Sequence, residues 1–469
     1  MVFSSMVFLW IFLPIVFVLS LVIRKPKYQN ILLLIASLIF YAWGEPYYIV
    51  LLLGSILMNW IFGLLIAKYH SRAKLFLILA IVGNLGLLGY FKYADFIINT
   101  LNHVIPGLNL AFAEISLPIG ISFFTFQAMS YIIDLYRGEI KVQKNLLYLA
   151  LYISFFPQLI AGPIVKYRDI ESQIENRKVT VSGMTSGMRR FIYGLGKKVI
   201  ISNLIAEACD NLFEMDLNQM TGGMAWLCAI TYTLQIYYDF SGYSDMAIGL
   251  GRMFGFEFLE NFNYPYISSS IREFWRRWHI SLGSWFRDYL YIPLGGNRKG
   301  KVRTYLNNLI VFFCTGLWHG ASWNFVGWGL YHGLFIILER LGLGRVLDKS
   351  KILSRVYTMI VVMVGWVFFR AEDMELGLAV TRRMFLPWMY TSTDAILGTL
   401  VGTQATIAII LGIVGCGILQ AVFSTGKRKE LAVRWKGSTA EAVWCGMVLF
   451  ASIVLLANNT YNPFIYFRF

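Results

Sequence analysis

The sequence predicts an all-helical integral membrane protein, and three observations carry that reading. Hydrophobic residues make up 57% of the 469 positions and charged ones only 14%, where a soluble domain carries about 25% charged residues. Mean hydropathy is +0.60, and the apolar residues gather into runs, several of them near the length of about 20 needed to cross hydrocarbon. The basic residues sit in short clusters between those runs: Arg24 to Lys27, Lys68 to Lys74, Asn297 to Arg303 and Lys427 to Lys429. Cytoplasmic loops have that appearance.

The same clustering argues against nucleic-acid binding, the first thought for a chain with 41 Lys and Arg against 26 Asp and Glu. No long soluble basic tract exists. The five cysteines, Cys209, Cys228, Cys314, Cys416 and Cys445, form no CxxC pair and lie in or beside apolar stretches. They read as packing residues, not as a disulfide framework or a zinc site.

Taken in order, residues 2–23 have no basic leader and no small-residue cleavage site, so they predict a retained first span. The basic run after it faces the cytoplasm, which puts the N-terminus outside. A short second span, 31–43, returns outward to Gly44, Glu45 and Pro46. A third, 48–67, ends at the Lys68 to Lys74 run, and a fourth, 75–90, goes back out. Further apolar segments follow at 115–133, 146–164, 190–209, 223–240, 306–318, 323–338, 356–369, 405–423 and 442–456. Leu117 to Gly120 and Ala161 to Pro163 interrupt two of them. Broken segments at membrane depth are tolerated only inside protein or beside a water-filled cavity, so re-entrant pieces are expected. No internal repeat or low-complexity tract appears.

Residues 261–304 differ in kind. Aromatics and arginines interleave from Ile271 to His279 and again from Leu282 to Gly296. The stretch is too charged to span and too apolar for a free loop. It predicts an interfacial or half-inserted helix pair with arginine heads reaching for water.

Five histidines occur. His70 and His103 sit in polar connections and read as solvated. His319 lies inside a long apolar region, between Trp318 and Gly320. An ionisable group at that depth is costly and is a functional candidate by default. The other reading is a histidine bonded between helices, with Gly316, Gly320 and Ala321 allowing close approach. His279, behind Arg276 and Arg277, is open in the same way: an interfacial bridging residue or a second acid–base group. His332 has nothing site-like beside it and reads as structural. A polar island runs through Asp239, Ser241, Tyr243, Ser244 and Asp245, with Gly242 permitting a bend. It is either a helix end capped by aspartate or a wall of a substrate tunnel. No HExxH, GxSxG or GxxxxGK[ST] pattern is present, so metal protease, serine hydrolase and ATPase chemistry have no support here; no metal is expected.

Arg276 to His279 with Trp285 to Gly296, and Leu317 to Ala321 around His319, resemble the membrane-bound O-acyltransferase family. Tyr238 to Asp245, Pro157 to Pro163 and Gly365 to Ala371 resemble its bacterial alginate O-acetyltransferase branch, and the likeness covers nearly the whole chain. The resemblance implies a helical shell with re-entrant segments, a central tunnel and about 11 or more spans. It implies one multi-pass membrane domain over 1–469, with a core about 1–370 and a C-terminal transmembrane extension about 371–469. The family's two histidines fall on His279 and His319, His319 being the catalytic base. Acetyl-CoA is the implied cytoplasmic donor, no cofactor stays bound, and the acceptor lies outside a bacterial cytoplasmic membrane.

The chemistry fits such a site. A hydroxyl attacking a thioester needs a base, and imidazole serves near neutrality. Trp318, Asn324 or backbone N–H groups could hold the developing oxyanion. Arg272, Arg276, Arg277, Arg298, Lys299 and Arg303 are candidates, on charge alone, for the CoA phosphates. Asp239, Ser241, Tyr243 and Asp245 are the candidate tunnel residues. The expected function is O-acetylation of an extracytoplasmic polysaccharide, alginate-like or cell-wall, with a partner protein on the outer side because no sizeable external domain is present. The competing readings are D-alanyl transfer from a carrier protein to teichoic acid, and a non-enzymatic transporter or channel.

Overall fold

Helices account for every regular element among the described residues, as the composition predicts. The computed structural model describes residues 1–469 except 24, 113, 161, 392, 423–429, 431–432, 459–460, 464 and 466–469. Arg24, Ala161 and the Lys427 to Lys429 cluster therefore lie outside the described residues. The chain packs as two compact units, Met1–Phe191 with Met246–Glu260, and Ile192–Asp245 with Asn261–Phe469.

Among the described residues, four helices are long and apolar enough to cross a membrane: Ile49–Lys68, His70–Val104, Lys351–Arg370 and Thr439–Asn458, with shorter apolar helices at Phe8–Val22 and Thr403–Ile418. The third predicted span matches Ile49–Lys68 closely. The fourth runs well past its predicted end, to 35 residues or about 52 Å at 1.5 Å per residue. A π-turn at Gly89–Tyr93 carries the chain from the apolar stretch into an amphipathic one. Several other predicted segments lengthen, as 31–43 does to Pro26–Gly44 and 442–456 to Thr439–Asn458, and two are broken. Residues 115–133 become a helix only from Ile121, because Pro118 stands before it and Gly120 adopts φ +78°. A Cβ there would stand 2.8 Å from the Leu159 carbonyl oxygen. The 146–164 segment divides at Phe155 into Leu146–Ser154 and Phe156–Leu159.

Some polar side chains inside the first unit find partners in each other. Asn59 and Asn84, on two apolar helices, exchange amide hydrogen bonds of 2.8 and 3.1 Å. Arg177 is buried, donates to Asn30 and to the Phe254 carbonyl, and lies over the Phe256 ring. Between helices in lipid such bonds tie segments together where the hydrophobic effect offers no preference.

The second unit contains a closely packed helix pair. Helices Lys301–His319 and Trp323–Leu338 pack backbone against backbone. A Cβ on Gly316 would sit 2.2 Å from the Phe325 carbonyl oxygen, and one on Gly329 would sit 2.2 Å from that of Phe312. Gly316, one turn before His319, thus serves the approach of a partner helix.

The polar island corrects an expectation. It is neither a helix end nor a bend, for Gly222–Met253 is one continuous helix of 32 residues. Gly242 is there for contact: a Cβ would lie 2.8 Å from the Gly194 carbonyl oxygen and 3.2 Å from the Lys198 nitrogen. The 261–304 stretch does form a pair of short helices, Ile271–Arg277 and Ile280–Phe286, the latter prolonged by a π-turn to Tyr291.

Candidate active site

His319 ends its helix and is buried. Aromatic edges surround it: Trp328 at 5.1 Å and 87°, Phe369 at 5.2 Å and 75°, and its neighbour Trp318 at 5.0 Å. His279 occupies the break between the two short helices. Its backbone is left-handed, φ +46° and ψ +54°, a conformation that costs a non-glycine residue on the order of 1–3 kcal/mol and often marks function. The two imidazole centroids are 6.4 Å apart. Both residues belong to the second unit.

Asn261 holds the His279 turn from several sides. Its carbonyl accepts from the Ile280 N–H at 3.0 Å. Its side-chain oxygen accepts from the Ser281 N–H at 3.2 Å and the Ser281 hydroxyl at 2.9 Å, and lies 3.1 Å from His279 Nδ1. Its amide nitrogen donates to Ser244 Oγ at 3.0 Å. Phe240 meets the His279 ring edge-on at 4.6 Å. Phe240 and Ser244 are one turn apart on Gly222–Met253, so one helical face serves the histidine.

The predicted tunnel residues on that helix face elsewhere. Asp239 makes a buried ion pair with Lys198 at 2.5 Å and accepts from the Ile465 N–H at 3.2 Å. Lys198 also donates to the Pro463 carbonyl and lies 5.9 Å from the Tyr243 ring. Asp245 pairs with Lys197 at 2.6 Å. The Ser241 hydroxyl is buried without a partner among the described residues. Asn324 donates to the Ala371 carbonyl at 2.7 Å.

A cavity of about 500 Å³ opens beside His279, lined by Arg272, Arg276, Arg287 and Arg340 and floored by apolar side chains such as Trp275, Leu282, Phe286 and Phe312. That size falls within the range of small-molecule sites. Of the six basic residues proposed on charge, Arg272 and Arg276 line it. They are four apart on Ile271–Arg277 and share a face. Arg277 turns away to Glu273 and the Asn263 carbonyl. Arg298, Lys299 and Arg303 do not line it. Arg272 is steadied by Glu339, which also accepts from the Ile271 N–H at the helix start.

Sequence reading missed Asn261, Arg287 and Arg340, and it placed Ser244 in the polar island without linking it to a histidine. Arg287 stood in the interleaved motif, and helical spacing would have separated Arg276 from Arg277. Asn261 and Arg340 carried no local signal. His332 is buried in a box of Phe274, Trp275, Trp328 and Tyr331 with Gly365 against its Nε2, a packing position. His70 and His103 are exposed.

Residues 137–370, which include both histidines and the cavity, match the model of the membrane-bound O-acyltransferase family. A protein of Pseudomonas putida described as a probable alginate O-acetylase is 41% identical over the whole of both chains. The peptidoglycan O-acetyltransferase of Helicobacter pylori is 36% identical over 82% of this chain and 80% of its own length. The teichoic acid D-alanyltransferase of Bacillus subtilis is 31% identical over 46% of this chain and 58% of its own.

Proposed function

The chain belongs to the membrane-bound O-acyltransferase family, and from that premise we propose that it takes an acetyl group from cytoplasmic acetyl-CoA and passes it across the bacterial cytoplasmic membrane for O-acetylation of an extracytoplasmic polysaccharide. The observation that carries the reading is a pair of buried histidines 6.4 Å apart beside a cavity edged by four arginines. The arginines suit the pyrophosphate and 3′-phosphate of CoA, since guanidinium binds phosphate through paired N–H donors. The apolar floor suits the pantetheine arm, which leads the thioester toward His279.

His319 takes the proton of the attacking hydroxyl. The oxygen adds to the thioester carbonyl, the carbon–sulfur bond breaks, and the proton passes by way of the neutral His279 ring, which lines the cavity, to the CoA thiolate. The aromatic shell keeps bulk water from a competing attack. The acceptor is an alginate-like exopolysaccharide or a cell-wall polymer, reached directly or through the hydroxyl of an outer partner protein. The acetylase likeness over the full chain favours acetyl over D-alanyl cargo, whose bearer relative is similar over under half of it.

The test is transfer of labelled acetyl from acetyl-CoA by the purified protein, with His319→Ala and His279→Ala beside wild type. Transfer lost in both variants, with folding intact, supports the reading. Transfer from an aminoacylated carrier protein but not from acetyl-CoA overturns the donor.

A further inference from the structure

The proton positions on His279 can be argued from its neighbours. The Ser281 backbone N–H is a donor under any assignment, and it points at Asn261 Oδ1 from 3.2 Å. That atom must therefore be the amide's oxygen. Turning the amide over would set an NH₂ against that N–H. The oxygen then lies 3.1 Å from His279 Nδ1. Two lone pairs at that separation repel, so Nδ1 carries hydrogen. The Ser281 hydroxyl does not change this: it donates to Asn261 at 2.9 Å and stands 3.4 Å from the ring. In a neutral ring the lone pair is then on Nε2, which is buried and has no hydrogen-bond partner among the described residues.

We propose that Asn261 is a positioning residue of the active site: its side-chain oxygen fixes His279 as the Nδ1–H tautomer, so that Nε2 is the proton-accepting atom offered to the reactants. The cost of the left-handed turn is met by the same residue, which holds His279, Ile280 and Ser281 at once. Its amide nitrogen is anchored on Ser244, so the orientation of the amide is set by the long helix. An asparagine is neutral, and this matters. A carboxylate in its place would also order the ring but would favour imidazolium, which cannot accept a proton.

The charged groups on the surrounding elements are Arg272, Glu273, Arg276 and Arg277 on the preceding helix, Arg287 and Asp288 after the following one, and Arg340 across the cavity. His319 stands beside the ring, and Asp245 and Asp239, on the helix bearing Phe240, pair with Lys197 and Lys198. Among the described residues, the partners of His279 Nδ1 are Asn261 and Ser281.

Two measurements test this, and only the second rests on the acetyltransferase reading. Ring-¹⁵N-labelled histidine NMR of the full chain in lipid, with the His279 signal identified by its loss in His279→Gln, should show a protonated Nδ1 and a bare Nε2 at neutral pH, and Asn261→Leu should mix the tautomers. A protonated Nε2 in wild type overturns the proposal. In the second, acetyl-CoA hydrolysis is followed against pH for wild type and Asn261→Asp. The expected result is an acid limb displaced to higher pH by about a unit or more, with activity recovered above it. Loss of rate at every pH with the limb in place means a structural role only and overturns the proposal. Wild type that hydrolyses no acetyl-CoA sinks the donor reading, and the NMR result then decides the tautomer alone.

Discussion

The helix Gly222–Met253 carries two buried polar assemblies on neighbouring faces, and they end differently. On the face of Asp239 and Tyr243 the charges cancel: Asp239 and Lys198, each almost wholly buried, meet each other and the backbone of residues 463 and 465. On the face of Phe240 and Ser244 the network stops short. Ser244 holds Asn261, Asn261 holds His279 Nδ1, and Nε2 is left over. Closed polar networks hold structure, since a buried group without a partner costs about 1–3 kcal/mol. That left-over nitrogen, beside an arginine-edged cavity, is the atom the proposed proton transfer would use.

The largest expected effect tests the open end. His279→Ala and His319→Ala should each lower acetyl transfer by about 10²–10⁴-fold, the usual worth of a positioned acid–base group, while thermal unfolding stays near that of wild type. A variant that transfers at the normal rate would remove its histidine from the chemistry. The closed end should behave in the opposite way. Asp239→Ala or Lys198→Met strands a buried charge and should cost about 3–5 kcal/mol of stability. The double variant Lys198→Met with Asp239→Leu should recover most of it, and the rate per folded molecule should hardly change. If the double variant is folded and inactive, the comparison fails and the ion pair belongs to the mechanism.

Much of this was legible in the sequence, though not evenly. Helical class and membrane residence followed from composition, because lipid imposes its demand on every residue of a span. His279 and His319 stood out because ionisable residues are scarce in apolar surroundings. Asp239 stood out for the same reason, yet the structure pairs it with Lys198, on a π-turn about forty residues earlier in the chain. Only tertiary packing decides whether a buried carboxylate has a cation beside it. The continuity of Gly222–Met253 was hidden because Gly242 and the polar run read as a break. Asn261 was silent since a lone asparagine in a loop looks like any other.

Glycine positions sharpen the contrast between helices that need contact and those that do not. Gly316→Ala puts a methyl 2.2 Å from the Phe325 carbonyl oxygen and should push apart the helix pair that sets His319, costing about 1–3 kcal/mol. Gly54→Ala, with nothing within 4 Å of the new Cβ, should be neutral or stabilising by up to about 1 kcal/mol, as helix propensity favours alanine. Unfolding monitored by circular dichroism in matched detergent separates the two. Equal effects would mean that the close approach of the two helices matters little.

The smallest effect expected is at the cavity's edge, where the same cation type lies in two settings. Arg276 and Arg340 line the cavity; Arg298, Lys299 and Arg303 lie beyond its lining. Single replacement of Arg276 or Arg340 by alanine should raise the KM for acetyl-CoA by about tenfold, near 1.4 kcal/mol, the lower end of what a hydrogen bond to a charged group contributes. The rate at saturation should be nearly kept, because phosphate contacts bind ground and transition states alike. Replacing the three outer residues together should change KM only through the long-range field, and that change should vanish as salt is raised to about 0.5 M, where screening acts over a few ångströms. The arginine effect should persist in the same salt, since a cavity contact is screened less than an exposed one. Dephospho-CoA thioester adds a second reading: an arginine that contacts the 3′-phosphate should lose its effect with that donor, and one that contacts the pyrophosphate should keep it. If the outer residues carry the larger and salt-resistant effect, the donor approaches by another route and the cavity beside His279 serves a different reactant.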